Sequence, residues 1–314
     1  MTSLRQLGSS DLQVFPLALG GNVFGWTADE AQSFAVLDAY TEAGGNFVDT
    51  ADAYSAWVPG NEGGESETVI GKWLASRPGR SDVVVATKVG AHPSYKGLSA
   101  ATIKAAAEES LRRLGRDHID LYYTHFDDET VPVEEIITTL DELVKAGKVR
   151  EIAASNISPE RLRASLDFSE REGLARYVAL QPHYNLVSRD TYEGPLQDTA
   201  ARAGLAAVPY YALASGFLTG KYRPGTPVES ARAQSAGKYL ESERGRNVLA
   251  ALDRVAQAHD AQIATVALAW LASRPTVAAP IASARTVEQM PALTAVADLR
   301  LTEGELADLT EASA

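Results

Sequence analysis

Eight short apolar runs alternate with longer amphipathic segments along this 314-residue chain, and this alternation most restricts its fold. The runs are nearly continuous in apolar residues, as expected of parallel strands that are buried on both faces. Strand–helix alternation implies right-handed crossovers, and eight such units close a barrel better than they fill an open sheet. The sequence therefore predicts an α/β fold, a single (β/α)₈ TIM barrel over residues 1–314. The runs are Leu17–Leu19, Asn46–Asp49, Val83–Lys88, Ile119–His125, Ile152–Ser155, Tyr177–Gln181, Ala206–Tyr210 and Thr276–Ile281.

The remaining segments have the periodicity of helices or the composition of turns and loops. An N-terminal β-hairpin is predicted from Leu4–Leu7 and Leu12–Phe15, with its turn at Gly8. Two stretches, Ser55–Gly64 and Ala212–Leu240, are predicted to be loops because they are rich in turn residues or lack periodicity. The predicted helices are Ala28–Ala43, Glu65–Ser76, Ser99–Leu114, Val133–Ala146, Ser158–Gly173, Thr191–Ala203, Asn247–Asp260, Gln262–Ser273, Thr286–Ala297 and Thr302–Ala312.

The composition excludes several classes of function. The 29 Lys and Arg residues against 41 Asp and Glu residues give a net charge of −12, so the basic stripe of a nucleic-acid surface is not expected. The chain has no cysteine, which excludes disulfides, thiol catalysis and thiolate metal ligands. No apolar stretch is long enough to span a membrane, and the N-terminus lacks the apolar core of a signal peptide. We therefore expect a cytoplasmic protein without a membrane or nucleic-acid partner.

Four polar residues lie where predicted strands end. Asp49 closes the run NFVD, Lys88 closes DVVVATK, and His125 closes LYYTH; Tyr54 follows Asp49 by five residues. Because parallel strands carry their chemistry at their carboxyl ends, we expect these side chains to meet at one mouth of the barrel. A Lys ammonium favours the phenolate of a nearby Tyr, an Asp holds that Lys, and a His binds a carbonyl oxygen or relays a proton. Such a set suits the protonation of a carbonyl oxygen as a hydride arrives.

Each of these residues also has an ordinary structural interpretation. Asp49 alone could cap a turn, and Lys88 alone could be a solvated charge. Tyr54 alone could be a packing residue, and His125 could be a buried histidine with satisfied hydrogen bonds. Their joint occurrence at adjacent strand ends favours an enzyme. A metal-dependent barrel such as a sugar isomerase is a rival, but only Asp49 and His125 could be ligands and Lys88 would repel a cation, so no metal is predicted.

The segments NFVDTADAY, VVVATKVG, IDLYYTH and EIAASNIS together resemble the aldo-keto reductase superfamily, of the bacterial, NADPH-dependent type. The resemblance extends from the N-terminal hairpin nearly to the end of the chain. It implies a barrel that reduces an aldehyde or ketone with NADPH. It also implies that Tyr54 is the general acid, that Lys88 and Asp49 tune it, and that His125 orients the substrate. Some relatives resemble potassium-channel β subunits. They imply an alternative to an enzyme, namely a regulatory subunit that binds a nucleotide and serves a partner protein.

The same resemblance implies a binding site for NADPH or NADP⁺. Glycines in the run LASGFLTGKY let the backbone approach the phosphates closely, and an Arg in PIASARTVEQ suits the 2′-phosphate because its planar fork binds two oxygens. Tyr211-Ala212 and Leu293 depart from the family pattern, at the pyrophosphate and at the adenine respectively. The implied cofactor residues are Ser155, Asn156, Gln181, Tyr210, Leu213, Gly216, Leu218, Gly220, Lys221, Ser283, Arg285 and Gln289.

Trp26, Trp57 and Phe126 are predicted to form walls of the substrate pocket, although aromatic residues near loops are equally often packing residues. The predicted partner is a small-molecule carbonyl compound. The sequence leaves the particular carbonyl and the oligomeric state open.

Overall fold

Eight parallel strands form the centre of the structure, a computed structural model that describes residues 4–80, 82–225, 228 and 233–314. Each is followed in sequence by helical segments, as the alternation of the runs predicts. The eight are β3 Ala18–Gly20, β4 Phe47–Asp49, β5 Val84–Val89, β8 Ile119–Thr124, β9 Val149–Ser155, β10 Tyr177–Gln181, β11 Ala206–Ala207 and β12 Ile281–Ala282. Two antiparallel hairpins add β1 Arg5–Gln6 with β2 Gln13–Val14, and β6 Ala91–His92 with β7 Tyr95–Lys96.

The strand order is β11-β10-β9-β8-β5-β4-β3-β12, so the strands are arranged as in a barrel. The two edges of this sheet are joined by backbone hydrogen bonds, from the Ala278 amide to the Ala207 carbonyl (2.9 Å) and from the Ile281 amide to the Pro209 carbonyl (2.8 Å). The sheet therefore curls round on itself, and the predicted (β/α)₈ barrel is confirmed.

The N-terminal hairpin is also confirmed, and it packs against the inside of the barrel. Leu7, Leu12 and Val14 are buried in one cluster with inward-pointing strand residues such as Phe47 and Leu121. At the turn, Gly8 has a positive φ of 59°, and a Cβ there would lie 2.1 Å from the Val178 carbonyl oxygen. Only glycine fits this close approach, because any side chain would meet the strand backbone.

Helices surround the barrel. They are α1 Glu30–Glu42, α2 Glu65–Ser76, α3 Ala100–Leu114, α4 Val133–Lys145, α5 Pro159–Glu172, α6 Pro195–Arg202, α7 Ala233–Glu241, α8 Glu243–Ala258, α9 Ile263–Ala272, α10 Met290–Thr294 and α11 Glu303–Ala312. None of the helices in the described part of the chain is long and apolar enough to cross a bilayer.

Several predicted bounds are wrong. The helix predicted from Thr191 begins at Pro195, because proline suits the first helical turn. The helix predicted from Asn247 begins at Glu243, where the hydroxyl of Ser242 accepts the Gly245 amide. The predicted strands Ala206–Tyr210 and Thr276–Ile281 are observed as β11 and β12, which are shorter; each prediction included a proline, which cannot donate to a strand ladder.

The long stretch predicted as a loop, Ala212–Leu240, is partly helical. It contains the 3₁₀ turn Ala214–Thr219 and most of α7. Residues 226–227 and 229–232 of that prediction lie outside the described residues. Likewise, the predicted helix Thr286–Ala297 consists of α10 between two 3₁₀ turns, Val287–Gln289 and Ala295–Ala297.

Candidate active site

The structure brings together the four polar residues predicted to share the barrel mouth. Asp49 is the last residue of β4, Lys88 lies one residue before the end of β5, and His125 directly follows β8. Tyr54 lies in the turns that follow β4. Three neighbouring strands thus deliver these side chains to one place, as parallel strands with a common direction must.

Lys88 is the centre of this cluster. Its side chain is 0% exposed, and its Nζ lies 2.8 Å from both Asp49 carboxylate oxygens, 2.7 Å from the Thr50 carbonyl oxygen and 3.0 Å from the Tyr54 Oη. Burial lowers the pKa of Lys88, whereas Asp49 acts in the opposite direction. Four oxygen neighbours at these distances are the surroundings of an ammonium, which has three protons to donate. The Thr50 carbonyl is a partner that sequence reasoning missed, because any residue supplies one.

The surroundings of Tyr54 favour its protonated, phenol form. Burial, followed by the charge of Asp49, raises the pKa of Tyr54 well above its ordinary value. Its hydroxyl donates to the Asp49 Oδ2 over 3.3 Å and accepts from Lys88. The sequence suggested that Lys88 would lower the pKa of Tyr54, but in this site burial and Asp49 have the larger effect. These effects favour the phenol over the phenolate. The Lys88 ammonium lies 3.0 Å from the oxygen that would carry the charge of a phenolate.

His125 is held as a neutral imidazole. Burial, and secondarily the charge of Lys88, lower the pKa of His125 to about 3. Its Nδ1 is buried without a hydrogen-bond partner among the described residues, and its ring centroid lies 6.0 Å from that of Tyr54. The backbone is fixed on both sides: the His125 amide donates to the Val89 carbonyl (2.9 Å), and the Asn156 amide group donates to the His125 carbonyl (2.8 Å).

The polar residues predicted to hold a nicotinamide carboxamide form one network at the ends of β9 and β10. The Ser155 hydroxyl donates to the Gln181 carbonyl over 2.8 Å, and the Asn156 Nδ2 lies 3.0 Å from the Ser155 Oγ. Gln181 also donates from its Nε2 to the Asp49 Oδ1 over 2.8 Å. Asn156 has a positive φ of 48°, a strained conformation typical of functional positions. The hydrogen bond between Gln181 and Asp49, which the sequence did not predict, joins the residues predicted to be catalytic to those predicted to bind the cofactor.

Tyr210 is anchored beside this network. Its hydroxyl donates to the Asn156 Oδ1 over 2.8 Å, and its ring is stacked on His183, with the centroids 5.4 Å apart and the planes at 19°. Sequence reasoning missed His183. Its position two residues after Gln181 was the available signal, since alternate residues of a strand point to the same side.

The predicted pyrophosphate loop has an unusual backbone. Tyr211, Ala214 and Ser215 have positive φ angles between 47° and 57°, and Gly216 and Gly220 have φ angles of 90° and 75°. Strain of this kind costs of order 1–3 kcal/mol per non-glycine residue and is concentrated at functional sites.

The side chains of this loop divide into two groups. Leu218 is fully buried in the hydrophobic core, and Leu213 packs against the same core. Lys221 instead is exposed, and a Cβ added to Gly216 would lie 3.6 Å from the Lys221 Nζ. A partly buried backbone turn and an exposed ammonium thus converge, which is a combination that suits an anion.

The predicted adenosine residues follow β12. The Ser283 hydroxyl donates to the Asn22 Oδ1 over 2.6 Å, and the Arg285 amide donates to the Gln289 Oε1 over 2.7 Å. The Arg285 side chain is exposed, so a phosphate group of a bound ligand could reach it from the surface. Leu293 is buried in the core, so this departure from the family pattern serves packing.

Aromatic rings form a rim above the cluster. The Trp26 and Trp57 rings pack edge to face at 5.7 Å, and Trp57 lies 6.2 Å from the Tyr54 ring. Phe126 is stacked on His125 at 4.8 Å. Trp57 and Phe126 are each 51% exposed, so these large apolar surfaces face solvent instead of the core.

The chain is similar to known proteins over most of its length. The model of the Aldo/keto reductase family matches residues 16–314. The chain is 30% identical to norsolorinic acid reductase B of Aspergillus parasiticus, over 98% of this chain and 83% of that protein. It is 34% identical to the uncharacterized oxidoreductase YrpG of Bacillus subtilis, over 90% and 87% respectively. A probable voltage-gated potassium channel subunit beta of Oryza sativa subsp. japonica is also 34% identical, over 92% and 90%. The chain belongs to the aldo/keto reductase family and is an oxidoreductase of that family.

Proposed function

We propose that this oxidoreductase reduces an aldehyde or ketone to an alcohol with NADPH, and that Tyr54 is the proton donor. One observation carries the proposal: the partly buried Tyr54 hydroxyl lies between the Lys88 ammonium at 3.0 Å and the Asp49 carboxylate at 3.3 Å. A phenol in such a place is protonated before the reaction and has a cation beside it afterwards. A general acid needs both conditions, a proton to donate at the start and a stabilised conjugate base afterwards.

NADPH, when bound, would supply a hydride to the carbonyl carbon. As the C–H bond forms, the π electrons of the C=O bond move to oxygen, and that oxygen takes the proton of Tyr54. Lys88 stabilises the resulting phenolate, and a proton from solvent restores the phenol, so one carbonyl, one NADPH and one proton give one alcohol and one NADP⁺. Neutral His125 is a hydrogen-bond partner for the carbonyl oxygen and orients it toward Tyr54.

The donor set fits a nicotinamide dinucleotide. Ser155, Asn156 and Gln181 offer amide and hydroxyl groups that suit a carboxamide, which needs both donors and acceptors when buried. The turn at Gly216 with Lys221 suits a pyrophosphate, and exposed Arg285 suits a 2′-phosphate. We therefore propose that the residues predicted for NADPH hold it, with Tyr210 against the nicotinamide ring.

The aromatic rim suits a substrate that carries an apolar group. Trp57 and Phe126 expose large ring surfaces beside Tyr54 and His125, and flat ring faces bind apolar or aromatic groups by stacking. We propose a small-molecule carbonyl that carries such a group, and the cytoplasm as the place of the reaction.

The deciding experiment compares Tyr54→Phe with Tyr95→Phe, which removes a phenol of β7 outside the site. NADPH oxidation is followed across aldehydes, ketones and quinones, beside NADH. We expect Tyr54→Phe to keep its fold and its cofactor affinity but to lose about 10²–10⁴-fold in turnover, the usual contribution of a general acid. Tyr95→Phe should match the wild type. Near-wild-type turnover by Tyr54→Phe with a saturating substrate would remove Tyr54 from the mechanism.

The similarity to the rice protein favours one alternative, a nucleotide-binding partner subunit. It predicts binding of NADPH without appreciable turnover of any carbonyl. The same screen separates the two functions, because a chain with wild-type nucleotide affinity and no turnover would support the partner role.

A further inference from the structure

Asp52 is a buried carboxyl group that the proposed mechanism does not use. It is 0% exposed, and neither of its oxygens has a hydrogen-bond partner of normal geometry among the described residues. Its backbone amide donates to the Lys88 carbonyl over 3.3 Å, so it is attached to the strand that carries the central lysine. Buried polar groups are nearly always hydrogen-bonded, and a buried carboxyl without partners therefore needs a physical reason.

Asp52 interacts with charged and polar groups on neighbouring helices and strands. Glu67 of α2 is 0% exposed; its carboxylate accepts from Arg113 of α3 over 2.6 Å and from the Thr87 hydroxyl of β5 over 2.5 Å. Lys88 acts on Asp52 from β5. Tyr122 of β8 has a buried hydroxyl without a partner in the described part of the chain, and Asp52 and Glu67 both act on it. His92 of β6 interacts with Glu67 and Arg113.

The charges of this region balance only if Asp52 is neutral. The Lys88 ammonium offsets the Asp49 carboxylate, and the Arg113 guanidinium offsets the Glu67 carboxylate. Asp52 is the fifth group, and ionisation would leave one uncompensated negative charge in the interior, without a hydrogen bond of normal geometry from the described residues. Such a charge is so costly that the group binds a proton instead.

The electrostatic surroundings of Asp52 agree with this charge count. Burial, and after it the charge of Glu67, raise the pKa of Asp52 to about 8. Arg113, the Ala53 amide and Lys88 act in the opposite direction but only partly offset them.

We propose that Asp52 is a proton-bearing positioning residue that keeps the buried surroundings of Lys88 and Tyr54 free of net negative charge at neutral pH. Ionised Asp52 would favour the ammonium of Lys88 and disfavour the phenolate of Tyr54. Alcohol oxidation, the reverse of the proposed reaction, needs that phenolate as its base, so ionisation of Asp52 opposes it. The effect on alcohol oxidation rests on the proposed function, whereas the protonation of Asp52 does not.

The bound proton is tested by infrared spectroscopy in D₂O. Wild-type protein at neutral pH should show the carbonyl stretch of a protonated carboxyl, lost with a midpoint near pH 8. Asp52→Asn should lack that band. Asp308→Asn, which removes an equal charge from the exposed surface of α11, should keep it. Glu67→Gln should move the midpoint to lower pH, because a neighbouring negative charge is gone. A wild-type spectrum without any such titrating band overturns the proposal, whether or not Asp52→Asn folds.

The positioning role is tested by the pH dependence of alcohol oxidation with NADP⁺. A unit charge about 10 Å away at an effective dielectric constant of about 20 shifts a pKa by roughly one unit. The rising limb of the profile, along which Tyr54 loses its proton, should therefore lie roughly one pH unit lower in Asp52→Asn than in wild type and Asp308→Asn. Identical limbs overturn the positioning role. If no carbonyl or alcohol is turned over, the proposed function fails, while the infrared band still decides whether Asp52 holds a proton.

Discussion

Replacing Lys88 with Met tests the buried charge pair on which the site depends. Methionine keeps a long apolar side chain but removes the ammonium, and Asp49, which is 1% exposed, is left with the Gln181 Nε2 at 2.8 Å and the Tyr54 Oη at 3.3 Å. Breaking a buried pair by removing one partner typically costs about 3–5 kcal/mol, because the remaining charge is uncompensated. At about 2.1 cal/mol/K per residue for the entropy of unfolding, this chain should melt about 5–8 °C lower.

The accompanying variant is Lys88→Met/Asp49→Asn, in which both charges are gone. Thermal melts should place the double variant above Lys88→Met, since no buried charge is left. The single variant should also recover stability as the pH falls: unpaired Asp49 acquires a raised pKa, so its folded state binds a proton more readily than the unfolded chain does. Carbonyl reduction should collapse in both variants, because neither can stabilise the Tyr54 phenolate. A double variant that melts no higher than the single one would refute the charge argument, and activity in either would refute the role of Lys88.

Two further predictions concern Arg285 and His125. Arg285→Ala should weaken NADPH binding by roughly 10–150-fold and leave NADH nearly unchanged, because a charge-assisted contact to a phosphate contributes about 1.5–3 kcal/mol. Fluorescence titrations of both cofactors at low and high salt check this, and equal losses for both would contradict it. The pKa of His125 is lowered to about 3 from 6.5, so stability should fall as the pH drops from 6.5 toward 3, where only the unfolded chain protonates this ring. His125→Asn should lack that part of the acid sensitivity in melts across pH; an equal slope would show that His125 does not titrate as described.

The sequence by itself determined the barrel and the membership of its central cluster. Eight apolar runs separated by helical segments leave few topologies, and parallel strands must present their carboxyl ends on one side. Asp49, Lys88 and His125 could therefore be placed together before any coordinate was known. Their catalytic roles stay predictions until the variants are measured. The lengths of β11 and β12 were overestimated, because apolar content marks a buried segment but does not show how far its regular strand pairing extends.

Only the tertiary structure decided how these residues are charged and connected. Gln181 reaches Asp49 across 132 positions of sequence, and Glu67 meets Arg113 across 46, so no local pattern could reveal either contact. Asp52 illustrates the limit most clearly. In the segment ADAY it is an ordinary loop aspartate, and its protonation depends on burial and on charges brought by two helices and a neighbouring strand. Proximity along the chain carries no information about the dielectric surroundings that set a pKa, and those surroundings exist only once the elements have packed.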